Sequence, residues 1–322
     1  MTEAAKGVVA IVAACLIWGF ATLYYKAMAY VPPLEVLSHR VLWTLLFFGA
    51  LLAVQGRFAE VGRLILGPKG LRVALAGSVI ALNWGVFIWA IQAGYAVESS
   101  LGYYILPLVS VVMGVLLMGE RLMPAQAVAV ALAALAVLVL TYGMGVAPWI
   151  ALILAFSFAP YLVLKKEMAA PAVVSVTAEV LVIAPLAVIW ILGAHFAGWL
   201  EFGRPGGLWG QDLYTTLMLP VTGLISGLPL ILLSWGAQRV RLSTLGVVQY
   251  LNPTLQAFSA VVVMGEPFTP WHGLAFGLIW LALAIYSVAA IRQERAARKD
   301  ASKALTSATT LNSPRTEASA KP

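Results

Sequence analysis

Long apolar runs separated by short polar joints fill the chain from residue 7 to residue 291. The runs are continuous rather than alternating, so they read as helices and not as the strands of a barrel. A helix needs about 20 residues, rising about 1.5 Å each, to cross about 30 Å of hydrocarbon. Ten segments reach that length, at approximately 7–29, 34–54, 71–92, 98–118, 124–142, 147–166, 173–195, 214–237, 244–264 and 270–291. Pro32-Pro33, Pro124, Pro148, Pro171 and Pro270 fall at the joints, where a missing backbone N–H is tolerated. The pattern predicts an all-α integral membrane protein with ten transmembrane helices.

Basic residues sort onto alternate joints. Lys6 precedes the first span, and Arg57, Arg63, Lys69 and Arg72 surround the second joint. Arg121 lies in the fourth, Lys165 and Lys166 border the sixth, Arg239 and Arg241 the eighth, and Arg292, Arg295, Arg298 and Lys299 follow the tenth span. The opposite joints are nearly bare, with Arg204 the exception. The positive-inside rule then puts both termini in the cytoplasm.

The segment Pro107…Met118-Gly119-Glu120…Pro124 recurs as Pro253…Met264-Gly265-Glu266…Pro270, every member displaced by 146 residues. The chain therefore divides into a short N-terminus at 1–6, repeats at 7–143 and 144–291, and a tail at 292–322 whose composition predicts disorder. Five spans per repeat is an odd number, so the second repeat is inverted relative to the first. Glu120 and Glu266 follow glycines at span ends and read as helix-end markers. Ala127/Ala131 and Gly273/Gly277 are small residues four apart at repeat-equivalent positions; they permit close helix approach within the chain or between protomers of a homodimer.

Composition agrees with the pattern: 62% of residues are hydrophobic and 10% charged, unlike a soluble globule. The net charge of +7 is a topology signal rather than a nucleic-acid face, because the basic residues sit in joints and tail. Cys15 is the single cysteine, and no Cys/His cluster offers a metal site, so no cofactor is expected. The apolar run around Cys15 continues toward Met28 and is too long for a cleaved signal.

Ionisable groups inside a span are costly and are site candidates by default. Glu179 lies within a span, Glu35 and Glu98 at span entrances, and Lys26, His39 and Arg40 are embedded bases. Arg40 and Glu179 each lie about seven residues into their helices, and a displacement of 139 makes them rough repeat counterparts. One reading has Arg40 and His39 lining a polar cavity for an anionic or zwitterionic solute, with Glu179 a cation or proton site. The other is a structural ion pair or snorkelling toward the headgroups. Asn83, Gln92, Gln249 and Asn252 are embedded amides that either line the cavity or join helices. Pro107 and Pro253 are predicted to break their helices at matching depths and free backbone carbonyls there. Tyr103, Tyr104 and Tyr250 precede those breaks and are placed to contact a ligand. Trp18, Trp43, Trp84 and Trp89 lie deep enough to line a pocket, whereas Trp149, Trp199 and Trp209 belong to an interfacial belt.

Several strings resemble the EamA family of the drug/metabolite transporter superfamily. They are Trp18-Gly19 with Lys26, and the Pro…Gly-Glu end of each fourth helix. Ser38-His39-Arg40-Val41-Leu42-Trp43, Asn83-Trp84 with Phe87-Ile88-Trp89-Ala90, Glu98 to Tyr103, and Arg241 to Gly246 with Gln249-Tyr250 resemble its RarD-like branch more narrowly. The resemblance spans about residues 7–291. It implies two inverted five-helix EamA repeats in a bacterial inner membrane, moving small metabolites or drugs through a cavity between the repeats. Carried to matching positions, it favours Trp18, His39, Arg40, Trp43, Asn83, Tyr103, Glu179 and Gln249 as lining. Ser157 stands where Gly19 would repeat, so the site is not fully pseudo-symmetric.

The expected activity is secondary transport by alternating access. The sequence has no Gly-x-x-x-x-Gly-Lys-Ser/Thr loop, so ATP is not expected to drive it directly. An uncoupled facilitator or channel-like pore is the alternative. A membrane enzyme on lipid-linked substrates would need a nucleophile–base or metal constellation, and only His39, His195, His272 and Cys15 are available.

Overall fold

The computed structural model describes residues 1–119 and 123–311. The helices are α1 Glu3–Ala27, α2 Pro33–Val54, α3 Phe58–Leu66, α4 Gly70–Ala93, α5 Ala96–Met118, α6 Pro124–Met144, α7 Trp149–Met168, α8 Ala172–Phe196, α9 Leu213–Ala237, α10 Leu242–Gln249, α11 Leu251–Phe258 and α12 Pro270–Leu311. Nine of these, among the described residues, contain a stretch long and apolar enough to cross a membrane. Glu120 and Arg121 lie outside the described residues.

The expected ninth span is not one continuous helix. α10 and α11 meet at Tyr250, and Ser259–Val263 is a π-helical turn. Gly246 weakens α10, and Pro253 sits in the first turn of α11, where its missing N–H removes no helical bond. Pro107, by contrast, does not break its helix: α5 runs unbroken from Ala96 to Met118. It lies mid-helix and forfeits one bond, which neighbouring turns and close packing on α7 and α11 offset.

Three further elements depart from expectation. α3 lies in the second joint, with Val61 buried and Phe58 and Leu66 exposed. The 197–212 joint folds into a small hairpin, Leu200–Glu201 against Arg204–Pro205. The segment from 292, expected to be disordered, continues α12 as helix to Leu311; its Ala, Glu, Arg and Lys residues are strong helix formers.

The tightest helix pairs each join the first half of the chain to the second: α6 with α12, α2 with α8 and α9, α5 with α7, α1 with α9 and α11, and α4 with α7 and α8. α6 meets α12 through buried Ala129, Ala133, Ala136, Ala275, Ile279 and Ala282. Ala127, Ala131, Gly273 and Gly277 face outward instead, so those stripes do not make that contact. Where α1 crosses α11, a Cβ on Gly19 would come within 2.5 Å of the Leu255 Cβ, so only glycine fits.

Carboxylates stitch one end of the bundle by accepting backbone N–H groups from other elements. Glu35 accepts from Gly207 (2.9 Å), Leu208 (2.8 Å) and Trp209 (3.3 Å). Glu201 accepts from Leu34 at 2.8 Å, and Arg204, the basic residue on an otherwise bare joint, donates to the Ala29 carbonyl at 2.6 Å. Glu266 accepts from Ala96 and Val97, both at 2.9 Å, so it caps α5 from the far half of the chain. Glu266→Ala is expected to destabilise the fold by about 1–3 kcal/mol, because two buried donors lose a charged acceptor. A thermal unfolding series would check this, and an unchanged midpoint would refute the capping role.

Burial raises the pKa of Glu201 above the ordinary carboxylate range, partly opposed by the Leu34 N–H and Arg204. A raised folded value means that Glu201 contributes stability fully present below its unfolded pKa and lost as pH rises through its folded pKa. Glu201→Gln is therefore expected to flatten the pH dependence of exchange at the Leu34 amide over that window. Hydrogen exchange measured across the acidic range reads it directly.

Candidate functional site

Arg40 lies on the buried face of α2 and is 6% exposed. Its guanidinium stacks over the Trp84 ring at 4.0 Å and lies 5.8 Å from the Tyr25 ring centroid. Such stacking is favourable for a desolvated cation, yet it supplies no hydrogen-bond acceptor. Nε of Arg40 has no partner among the described residues, and no carboxylate there pairs with the group. Phe87 stands edge-on to both Tyr25 and Tyr103, at 5.9 and 5.7 Å. Rings from α1, α4 and α5 thus enclose one cation.

Asn83 fixes this cage to the second half of the chain. Its amide donates to the Leu154 carbonyl (3.0 Å) and to Ser157 Oγ (2.9 Å) on α7, and its carbonyl accepts from the Tyr103 hydroxyl at 3.2 Å. Asn83 is fully buried, and these bonds hold Tyr103 and the α4 turn bearing Trp84. Ser157, which breaks the repeat against Gly19, is the anchor.

Glu179 does not meet Arg40. Its carboxylate binds Lys165 at 2.8 Å and the Tyr161 hydroxyl at 3.1 Å; Lys165 also donates to Ser175. Gly77 positions this cluster by letting α4 lie against the Glu179 backbone, since a Cβ there would stand 2.8 Å from the Glu179 carbonyl oxygen. Aromatic contacts bridge the two charged sites: Tyr103 to Phe158 at 6.1 Å and Phe158 to Tyr161 at 5.4 Å. Lys165, read from sequence as a joint residue, therefore points inward. The signal was present in the spacing, since Tyr161/Lys165 and Ser175/Glu179 are four apart on neighbouring helices. Tyr25, Phe87 and Phe158 carried no such signal, because an aromatic in a span is unremarkable by itself.

The remaining predicted residues fall elsewhere. His39 turns away from Arg40 toward Trp209, with ring centroids 5.7 Å apart. Tyr104 bonds Thr254 at 2.6 Å and packs on Phe276 and Trp280. Asn252 accepts from Gln256 at 3.1 Å, and its backbone faces Gly19. Gln249 and Tyr250 lie at the α10–α11 joint, both half-buried. Trp18 and Trp43 are half-buried on α1 and α2, the Trp43 backbone lying against Gly223 of α9. Lys26 and Gln92 tie α1 to α4 by bonds to the Gln92 and Met28 carbonyls.

A profile of the EamA-like transporter family matches residues 5–142. The chain is 39% identical to Protein RarD of Streptomyces exfoliatus over 87% of its own length and 88% of the relative's. It is also 39% identical to Protein RarD of Salmonella typhimurium, over 90% and 97%. It is 34% identical to the uncharacterized transporter YojE of Bacillus subtilis, over 92% and 98%. A solved crystal structure at 22% identity, covering 87% of this chain and 96% of that one, shares the fold with a TM-score of 0.56. With the apolar helices, these likenesses make the chain a multi-pass membrane transporter of the bacterial inner membrane, and it belongs to the EamA-like transporter family alongside the RarD proteins.

Proposed function

We propose that the protein is a secondary transporter in which two inverted five-helix repeats alternate access to a solute held at Arg40. Counting α10 and α11 as one interrupted ninth span gives five spans up to Met144 and five from Trp149 onward. The helix pairing supports the inverted repeat. Exchanging each span with its counterpart turns α1–α9 into α7–α4, α1–α11 into α7–α5, and α2–α9 into α8–α4, and each of those pairs is also tightly packed. Such an exchange is what a two-fold axis relating the repeats produces, and an odd number of spans in each sets that axis in the membrane plane.

The carboxylate-stitched end is then the outer face, and Arg57, Arg63, Lys69 and Arg72 mark the cytoplasmic one. The single observation that carries the site is the buried Arg40 guanidinium with Nε unbonded. A charge so placed is strongly unfavourable unless something pairs with it, so the solute is anionic or zwitterionic and supplies the missing acceptor. The bonds from Asn83 and the Tyr103–Phe158 ring contact to α7 support a position at the boundary of the repeats, where rocking would expose it to each side in turn. Proteoliposomes test the reading: saturable uptake with counterflow is expected, whereas conductance without saturation would mark a pore.

A further inference from the structure

We infer that Tyr25 and Thr44 complete the Arg40 site as an oxyanion fork, and that the solute presents one carboxylate to it. The inference rests on the transport reading above and names the substrate class for the same position. Three buried polar atoms, one on Arg40, one on the ring beside it and one a helical turn further along α2, have no partner among the described residues: Nε of Arg40, the Tyr25 hydroxyl and Oγ1 of Thr44. Their residues are 6%, 1% and 0% exposed. Tyr25 faces the guanidinium across 5.8 Å, and Thr44 follows Arg40 by one turn on the same face of α2. Buried polar groups are nearly always bonded, so three orphans on Arg40 and the residues that flank it indicate an absent partner rather than a dry core. Each can donate a proton, and none is negatively charged.

The complement of three donors is a group made of acceptor oxygens. Charge then selects its valence. Lys165 is already neutralised by Glu179 at 2.8 Å, so Arg40 is the one unbalanced cation of this cluster. A monocarboxylate cancels it. A phosphomonoester dianion or a dicarboxylate would leave an uncompensated buried negative charge, which a desolvated site disfavours. Two hydroxyls and a guanidinium edge also give the carboxylate's two oxygens one charged and two neutral donors.

The test uses the full-length protein in nanodiscs, with thermal unfolding followed against butyrate, benzoate, their amides, succinate and glycerol 3-phosphate. Butyrate or benzoate is expected to raise the midpoint in the wild type, the amides and glycerol 3-phosphate not. Tyr25→Phe and Thr44→Val are each expected to weaken that carboxylate response at least tenfold. Their unliganded midpoints should be equal to the wild type or higher, because an unsatisfied buried hydroxyl is removed. A lower unliganded midpoint with an unchanged carboxylate response would show a structural role and overturn the inference. Arg40-dependent stabilisation by succinate or glycerol 3-phosphate but not by the monocarboxylates would also overturn it, while leaving the Arg40 site standing. Carboxylate stabilisation that persists in Arg40→Gln would overturn the site itself.

Discussion

Arg40→Gln is expected to abolish saturable solute uptake while the protein still inserts, folds and purifies as the wild type does. The guanidinium is buried beneath Trp84 and Tyr25, so a solute anion reaching it pairs in a nearly water-free setting. Removing one partner of such a pair costs about 3–5 kcal/mol, a loss of roughly 10²- to 10⁴-fold in affinity. The unliganded protein should not suffer that loss, because among the described residues Arg40 has no carboxylate partner and its Nε has no hydrogen-bond partner. Glutamine also removes a desolvated charge, so the unfolding midpoint is expected to hold or rise. Uptake into proteoliposomes beside a melting curve separates the two effects. Wild-type uptake in this variant would remove Arg40 from the solute path.

Glu179→Gln should behave in the opposite way and fail first in stability. Glu179 is 1% exposed and its partner Lys165 keeps 21% of its side chain accessible. The substitution leaves an ammonium facing Tyr161 and Ser175 with no counter-charge, again at about 3–5 kcal/mol. Transport is expected to fall with it, because Tyr161 and Phe158 connect this cluster to the Arg40 cage through Tyr103. The combined replacement Lys165→Met with Glu179→Leu is expected to recover the midpoint, since removing both charges spares the desolvation of either. An unaltered midpoint in Glu179→Gln would show that the pair contributes no stability.

The contrast between these variants was not available from the spacing of Arg40 and Glu179. Their displacement of 139 residues suggested equivalents, and opposite charges at equivalent positions invite pairing by charge alone. In the fold each took a different environment: rings and, among the described residues, no acceptor for the Arg40 Nε, and a lysine and a tyrosine for Glu179. Glu266 shows the same limit. Its glycine neighbour marks a helix end, as Gly265 with φ of 70° bears out. That its carboxylate caps α5, 170 residues away, depends on how the two halves dock.

What the sequence determined by itself is the solvent of each segment. Apolar run length fixes how many stretches can cross a bilayer, because burying that many backbone groups in hydrocarbon leaves the helix as the only choice. Proline and glycine punctuation fixed most of the ends to within a few residues, since those preferences are local. Only the tertiary structure decided which polar groups satisfy one another. In a span, almost every face is apolar, so hydropathy carries no phase to say which side meets a neighbour. Partnership there is set by packing between distant helices, and that packing gave Arg40 rings while leaving its Nε without a partner among the described residues.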